Sequence, residues 1–125
     1  MKSEKKVASM KDGPLKEKSY IFALKIVKLA NQLQAEKKEY VLSKQIVQNG
    51  TTIGALIREA EFGQSRVDFT SKMSITLKEA NETEYWLTLL KDTKYFDEVT
   101  AQHYIDECKE LIAMLVATVK TSKQK

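Results

Sequence analysis

The chain has 125 residues, of which 42% are hydrophobic and 30% charged, with one proline and four glycines. This length suits one domain with one core, and the composition is typical of a folded, helix-rich protein rather than a disordered one. No apolar run approaches the ~18 residues that a membrane span requires, and no apolar segment follows the N-terminal lysines. A single cysteine excludes an internal disulfide. We therefore expect a cytoplasmic protein without a secretory signal or membrane contact.

The net charge of +4 is unevenly distributed along the chain. Residues 1–18 carry six lysines and three acids, and residues 120–125 carry three lysines and no acid. Between these ends, residues 19–58 have a net charge of +4 and residues 59–119 have a net charge of −6. A body with one basic and one acidic half can steer an anionic ligand, and it can equally attract copies of itself.

The first 18 residues are lysine-rich, lack a sustained apolar period and contain Gly13-Pro14, which predicts a disordered basic tail. Ser19 is predicted to cap a first helix that extends to Lys37. The inward stripe of this helix follows the helical period. It consists of Phe22, Ile26, Leu29, Ala30 and Leu33.

A second helix is predicted from about Tyr40 to Phe62, with Gly63 as its left-handed C-terminal residue. Its inward stripe consists of Leu42, Ile46, Ile53, Leu56, Ile57 and Ala60. Gly50 and Gly54 lie one turn apart inside this helix, where each costs roughly 1 kcal/mol against alanine. Either they permit a close crossing, within the bundle or between subunits, or they mark a local kink.

A third helix is predicted to begin at Ser65 and Asp68, which resemble a capping box, and to reach about Lys91. Its inward stripe consists of Phe69, Met73, Thr76, Leu77, Ala80, Glu84, Leu87 and Leu90. Glu84 interrupts this apolar stripe, so either Arg58 of the second helix pairs with it or it lies solvated at the rim.

A fourth helix, predicted over 98–121 with Asp97 as its cap, has the most regular apolar period. Its inward stripe consists of Ala101, Tyr104, Ile105, Cys108, Leu111, Ile112, Leu115 and Val119. Four amphipathic helices joined by short loops predict an all-α, antiparallel up-down-up-down four-helix bundle over residues 19–121. A basic tail is expected at 122–125.

Residues that carry catalytic or metal chemistry are scarce. His103 is predicted to face solvent, and Cys108 lies on the apolar stripe as a small buried hydrophobe. One histidine and one cysteine cannot supply a zinc site or a di-metal site, and no glycine loop suits a phosphate. We therefore expect no enzyme, no metal and no cofactor. An aromatic group of Tyr85, Trp86, Tyr95 and Phe96 suits core, a subunit interface or base stacking.

The segment from Asn49 to Phe96 resembles the bacterial four-helix-bundle proteins encoded in intervening sequences of large-subunit ribosomal RNA genes. The family pattern reads approximately S-G-T-S-I-G-A-N-I-x-E-A, then Q-S-x-x-D-F, then L-x-E-A-x-E-T-x-Y-W-L. The matching positions are Gly50, Thr51, Ile53, Gly54, Ala55, Ile57, Glu59, Ala60, Gln64, Ser65, Asp68, Phe69, Leu77, Glu79, Ala80, Glu82, Thr83, Tyr85, Trp86 and Leu87. The chain departs from the pattern at Gln48 and Leu56, where arginine and asparagine are common.

This resemblance implies an antiparallel four-helix bundle that assembles into a ring-shaped homopentamer, without enzymatic activity. A related branch, the accessory proteins of diversity-generating retroelements, engages nucleic acid and a reverse transcriptase. A head-to-tail ring also suits the charge division, because such an interface pairs two different surfaces.

Two functions remain open from the sequence. The first is RNA or other nucleic-acid binding by a ring, with phosphate contacts from basic residues of the first two helices. These residues are Lys25, Lys28, Lys37, Lys38, Lys44 and Arg58. The second is a protein-interaction scaffold that binds a partner enzyme and no nucleic acid, with acidic residues of the last two helices contacting a basic surface of the partner. These residues are Glu79, Glu82, Asp106, Glu107 and Glu110.

Overall fold

The computed structural model describes residues 13–124, which form a four-helix bundle. The helices are α1 (Pro14–Lys37), α2 (Leu42–Glu61), α3 (Arg66–Asp92) and α4 (Glu98–Gln124). No strand occurs within residues 13–124, so the predicted all-α class is confirmed. Residues 1–12 and 125 of the predicted tails lie outside the described residues.

Both ends of the helical region extend further than the sequence analysis predicts. α1 begins at Pro14, so the assignment of residues 14–18 to a disordered tail is wrong. Proline suits the first helical position, because the N–H that it lacks has no partner there. Ser19 is consequently not a cap: it is buried inside α1, and its hydroxyl donates to the Lys16 carbonyl at 2.9 Å. α4 likewise includes residues 122–124, which were predicted to be tail.

The inward stripes predicted from the apolar period form the core. All five stripe residues of α1 are buried, as are six of the eight on α4, with Tyr104 and Ile112 packed at its margin. Ile46 and Ile53 of α2 are fully buried, whereas Leu42 and Leu56 are partly exposed. The core therefore occupies the space between all four helices, as the amphipathic pattern predicts.

Side-chain pairs between α1 and α2 follow opposite numerical order. Lys16 Nζ lies 3.1 Å from Glu61 Oε2, and Gln34 Nε2 donates to Ser43 Oγ at 3.0 Å. α3 and α4 repeat this order, since Thr70 contacts Ser122 and the Cys108 thiol donates to the Ala80 carbonyl.

The two glycines inside α2 allow a close crossing with α1. A Cβ at Gly50 would lie 3.1 Å from both γ carbons of Ile26, and one at Gly54 would lie 3.5 Å from Ser19 Oγ. Because α2 is continuous from Leu42 to Glu61, the close-crossing interpretation is confirmed, within the bundle.

Of the four residues predicted at helix ends, Ser65 and Asp97 act as predicted, whereas Ser19 and Gly63 do not. Gly63 does not have a positive φ; left-handed backbone occurs instead at Lys38 (φ 56°) and Lys94 (φ 65°). The predicted caps of α3 and α4 are confirmed. Ser65 Oγ accepts from the Asp68 N–H at 3.0 Å. Asp97 Oδ1 accepts from the Thr100 N–H at 2.7 Å, and bonds from the Thr100 hydroxyl and then its N–H lower the pKa of Asp97.

Candidate nucleic-acid interface

The six cations predicted to contact nucleic acid lie in three separate places. Lys25 and Lys28 are on the middle of α1, and Arg58 is near the end of α2, beside Lys16 and Tyr20. The remaining three, Lys37, Lys38 and Lys44, flank the α1–α2 turn. The structure thus brings together three of the six residues.

The two lysines on the middle of α1 differ in availability. The Lys25 ammonium forms an ion pair with the Glu107 carboxylate of α4. This hydrogen bond to Glu107 is the main reason that the pKa of Lys25 is raised. Lys28 is exposed and forms no ion pair with any residue from 13 to 124. Lys25 is therefore neutralised locally, whereas Lys28 presents a full positive charge.

The α1–α2 turn is held by the buried carboxylate of Glu39. Its Oε2 accepts from the N–H groups of Leu42 at 2.9 Å and Val41 at 3.2 Å, and its Oε1 accepts from the Ser43 N–H at 2.7 Å. These are N–H groups at the start of α2, which have no partner within the helix and favour a negative charge. The Ser43 hydroxyl donates in turn to the Glu39 carbonyl at 2.8 Å. The turn is consequently fixed, and the N-terminus of α2 already has its anion.

Outside this fixed turn lies a surface that combines positive charge with an aromatic ring. Lys37, Lys38 and Lys44 are exposed, and Tyr40 between them is 54% exposed. We call these four residues the basic turn. Lysines near an exposed aromatic ring are the combination that binds phosphates and stacks bases in proteins that recognise single-stranded nucleic acid.

The sequence predicts the three lysines of the basic turn as contact residues, but not Tyr40. Tyr40 is predicted as the start of the second helix, whereas α2 begins at Leu42. The combination of lysines with an aromatic residue is visible in the sequence Glu-Lys-Lys-Glu-Tyr, where a tyrosine follows two lysines at the turn.

Of the two alternatives for Glu84, the ion pair with Arg58 is wrong and the position at the rim is confirmed. Glu84 lies at the rim with 28% of its side chain exposed, and its partner is Lys109 of α4 at 3.9 Å. Arg58 is exposed and forms no ion pair within residues 13–124. Glu84 lies on the side of α3 that faces α4, away from Arg58 of α2.

The predicted aromatic group is divided between two environments. Trp86, Tyr95 and Phe96 pack against the core, whereas Tyr85 is exposed. Tyr85 and Trp86 meet edge to face, with ring centroids 5.2 Å apart, beside a groove of about 790 Å³. We call it the α2–α3 groove. It is lined by Gln45, Ser74, Leu77, Lys78, Asn81, Glu82, Tyr85 and Trp86.

A polar network joins α2 to α3 at this groove. The Trp86 indole N–H donates to Asn49 Oδ1 at 2.9 Å. The Asn49 amide nitrogen donates to Glu79 Oε1 at 2.7 Å and to Glu82 Oε1 at 2.9 Å. Asn49 is buried, so these bonds satisfy its amide on both sides. Two carboxylates thus converge on one neutral group.

The histidine and the cysteine of the chain lie in opposite environments. His103 is exposed and Cys108 is fully buried, both as predicted. Burial, followed by the charge of Glu84, raises the pKa of the Cys108 thiol to about 12. No group of histidine, cysteine, aspartate and glutamate side chains within residues 13–124 could hold a metal ion. None of the helices described for this chain is long and apolar enough to cross a bilayer.

Comparison with known proteins adds a family and a solved relative. The family model described as 23S rRNA-intervening sequence protein matches residues 11–117. A crystal structure of a protein of unknown function from the S23 ribosomal protein family of Bacteroides thetaiotaomicron is 49% identical, with a TM-score of 0.83. The match covers 85% of this chain and 98% of that one. No curated protein matches the chain.

Proposed function

The chain belongs to the 23S rRNA-intervening sequence protein family, as its sequence predicts, and on this premise we propose that it is a non-enzymatic RNA-binding protein. In this proposal it acts in the cytoplasm as a homo-oligomer, with each copy an antiparallel up-down-up-down bundle. The copies form a ring, which the family resemblance suggests is a pentamer. RNA, or another nucleic acid, contacts the basic turn.

The observation that carries this proposal is the basic turn itself. Lys37, Lys38 and Lys44 are exposed at one end of the bundle, and none of them forms an ion pair within residues 13–124. Tyr40 offers a ring face in the same place. The Glu39 bonds hold the backbone beneath these side chains, so little ordering of the turn is required on binding.

The same geometry predicts the kind of recognition. Because Glu39 occupies the N–H groups at the start of α2, these groups are not available to a phosphate. Phosphate contacts then come from flexible lysines, which bind through charge and depend strongly on salt. Stacking on Tyr40 accepts any base. We expect binding with little sequence preference and a marked preference for unpaired RNA.

Assembly strengthens such binding. In a ring every copy has the same orientation, so all basic turns lie on one rim. Several weak sites on one rim raise the affinity for a long RNA well above that of a single site. Support for self-association comes from the charge division of the body and from the apolar outer side of α1.

Removing the charge of the basic turn tests the proposal directly. The variant carries Lys37→Gln, Lys38→Asn and Lys44→Gln, with asparagine chosen because it tolerates left-handed backbone. Loss of three phosphate contacts should weaken binding of single-stranded RNA by roughly 100-fold at 0.1 M salt and lower the salt slope by about 2. Fluorescence anisotropy over a salt series measures both quantities.

A matched control removes the same charge from the other end of the bundle. Arg66→Gln, Lys120→Gln and Lys123→Gln alter three exposed cations and should leave RNA affinity within about threefold, because none touches the basic turn. Equal losses in both variants would mean that binding follows net charge alone. If the unmodified chain does not bind RNA at physiological salt, the proposal fails, and the protein-scaffold alternative becomes the one to pursue.

A further inference from the structure

α1 is apolar on two opposite sides. One side is the buried stripe that faces the core. The other carries Tyr20, Ile21, Leu24 and Val27, whose exposed fractions lie between 41% and 56%. Their spacing of i, i+1, i+4 and i+7 places them on one outward surface, which we call the outer stripe. A helix that is apolar on all sides is typically buried on all sides.

The described residues provide nothing that covers the outer stripe, since α2 and α4 contact α1 on its flanks. Contiguous apolar surface of this kind marks an interaction site more often than chance exposure. Lys28 lies one turn beyond Leu24 on the same surface and presents an unpaired positive charge. The occupant must therefore offer an apolar hollow with negative charge beside it.

Two grooves formed by residues 13–124 offer apolar surface of this kind. One, of about 430 Å³ between α3 and α4, is lined by Phe69, Ala117 and Thr118 but also by Arg66, which would repel Lys28. The other is the α2–α3 groove, where Leu77, Tyr85 and Trp86 supply apolar surface. Its lining includes Glu82 as well as Lys78, whereas no acidic residue accompanies Arg66 in the groove between α3 and α4, so charge favours the α2–α3 groove.

The two carboxylates beside the α2–α3 groove have no cationic partner among the described residues, although Lys78 lies in its lining. Glu79 and Glu82 share the neutral Asn49 amide, and neither forms an ion pair within residues 13–124. Lys78 lines the groove without pairing with either of them. A further positive charge beside Glu82 would relieve the repulsion between two carboxylates that meet at one nitrogen.

We propose that the outer stripe of α1 packs into the α2–α3 groove of a second copy, with Lys28 beside Glu82. The inference rests on the oligomer proposed above and defines which surfaces meet. Because the two surfaces differ, the contact is head to tail and generates a ring when the rotation closes. It also places the basic half of one copy, residues 19–58, against the acidic half of the next.

Charge reversal across the interface tests this pairing. Lys28→Glu and Glu82→Lys each place like charges together, so each should raise the concentration needed for assembly at least ~10-fold. The double variant, Lys28→Glu with Glu82→Lys, restores opposite charges at every interface and should recover the oligomer. Sedimentation velocity and native mass spectrometry over a concentration series measure the mass, and circular dichroism verifies folding.

Matched controls separate the interface from general charge effects. Lys44→Glu and Glu98→Lys make the same charge changes at exposed positions outside both surfaces and should leave the mass unchanged. Leu24→Glu removes apolar surface from the outer stripe and should yield a monomer, because a buried unpaired carboxylate is costly.

Three outcomes would overturn the inference. The unmodified chain could be monomeric, Leu24→Glu could keep the oligomeric mass, or the double variant could stay dissociated although both single variants dissociate. The last result would place another surface, such as α1 of a second copy, on the outer stripe. RNA binding is read independently: Lys44→Glu should weaken RNA binding in an intact oligomer, so either proposal can fail while the other stands.

Discussion

α1 meets its two neighbours in opposite ways. Against α2, Gly50 and Gly54 bring the helix backbone onto Ile26 and Ser19, both of which are buried. Against α4, the polar contacts are ion pairs at the surface, from Lys25 to Glu107 and from Lys18 to Glu110 at 3.1 Å. A gap of about 100 Å³ remains beside the second contact.

The difference separates what fixes α1 from what only accompanies it. Close packing has one favourable geometry and resists displacement, because interiors are as dense as organic crystals. Exposed ion pairs tolerate several geometries and contribute little. We therefore expect the α1–α2 contact to determine the position of α1, and with it the direction of the outer stripe. The α1–α4 contact adjusts to that position.

Gly50→Leu should have the largest effect on this comparison. Even a Cβ would lie 3.1 Å from Ile26, which is fully buried, so the larger leucine side chain must push the helices apart. We expect a loss of about 3 kcal/mol in the free energy of unfolding, measured by urea denaturation. A leucine at the exposed Ala55 of α2 is the control and should be nearly neutral. A small loss at Gly50 would show that the crossing is not tightly packed.

Gly54→Ala should act in the opposite direction with a smaller effect. The added methyl would make ordinary contacts of 3.5 and 3.6 Å with Ser19, while alanine favours the helix. We expect a gain of about 0.5–1 kcal/mol in the same denaturation experiment. Destabilisation would mean that the helices cross as closely at Gly54 as at Gly50, although a Cβ at Gly54 has the longer contact distances.

Lys25→Met should have the smallest effect, because exposed ion pairs contribute about 0.5 kcal/mol and are screened by salt. The pKa of Lys25 is raised, chiefly by its hydrogen bond to Glu107. The contribution of the Lys25–Glu107 ion pair to the free energy of unfolding should be complete below the unfolded-state lysine pKa of about 10.4. It should disappear as the pH rises through the higher folded-state pKa. Unfolding of both proteins at low and high salt gives the difference. A loss of several kcal/mol in the free energy of unfolding that does not change with salt would contradict the minor role of the α1–α4 ion pairs.

The inward stripes could be predicted because burial of apolar side chains dominates the choice of helix face. The burial of Ile26 and Leu115, for example, follows from their helical spacing alone. The caps at Ser65 and Asp97 are local in sequence and were equally accessible. These features depend on neighbours along the chain.

Features that depend on how the helices rotate against one another were missed. The partner of Glu84 is set by the direction in which α3 presents it, which no spacing rule gives.

Pro14 signalled the start of α1, but the surrounding charges suggested a tail. The outer stripe was visible in the sequence at Tyr20 and Leu24, yet it gained meaning only when the inward side of α1 was known.

The buried thiol has a practical consequence. Cys108 is the sole cysteine of the chain, it is inaccessible in the folded protein, and its pKa of about 12 keeps it in the unreactive thiol form. A thiol reagent can modify it only when α4 moves away from α3. The rate of modification therefore reports the opening free energy of that half of the bundle under native conditions, without denaturant and without an engineered cysteine.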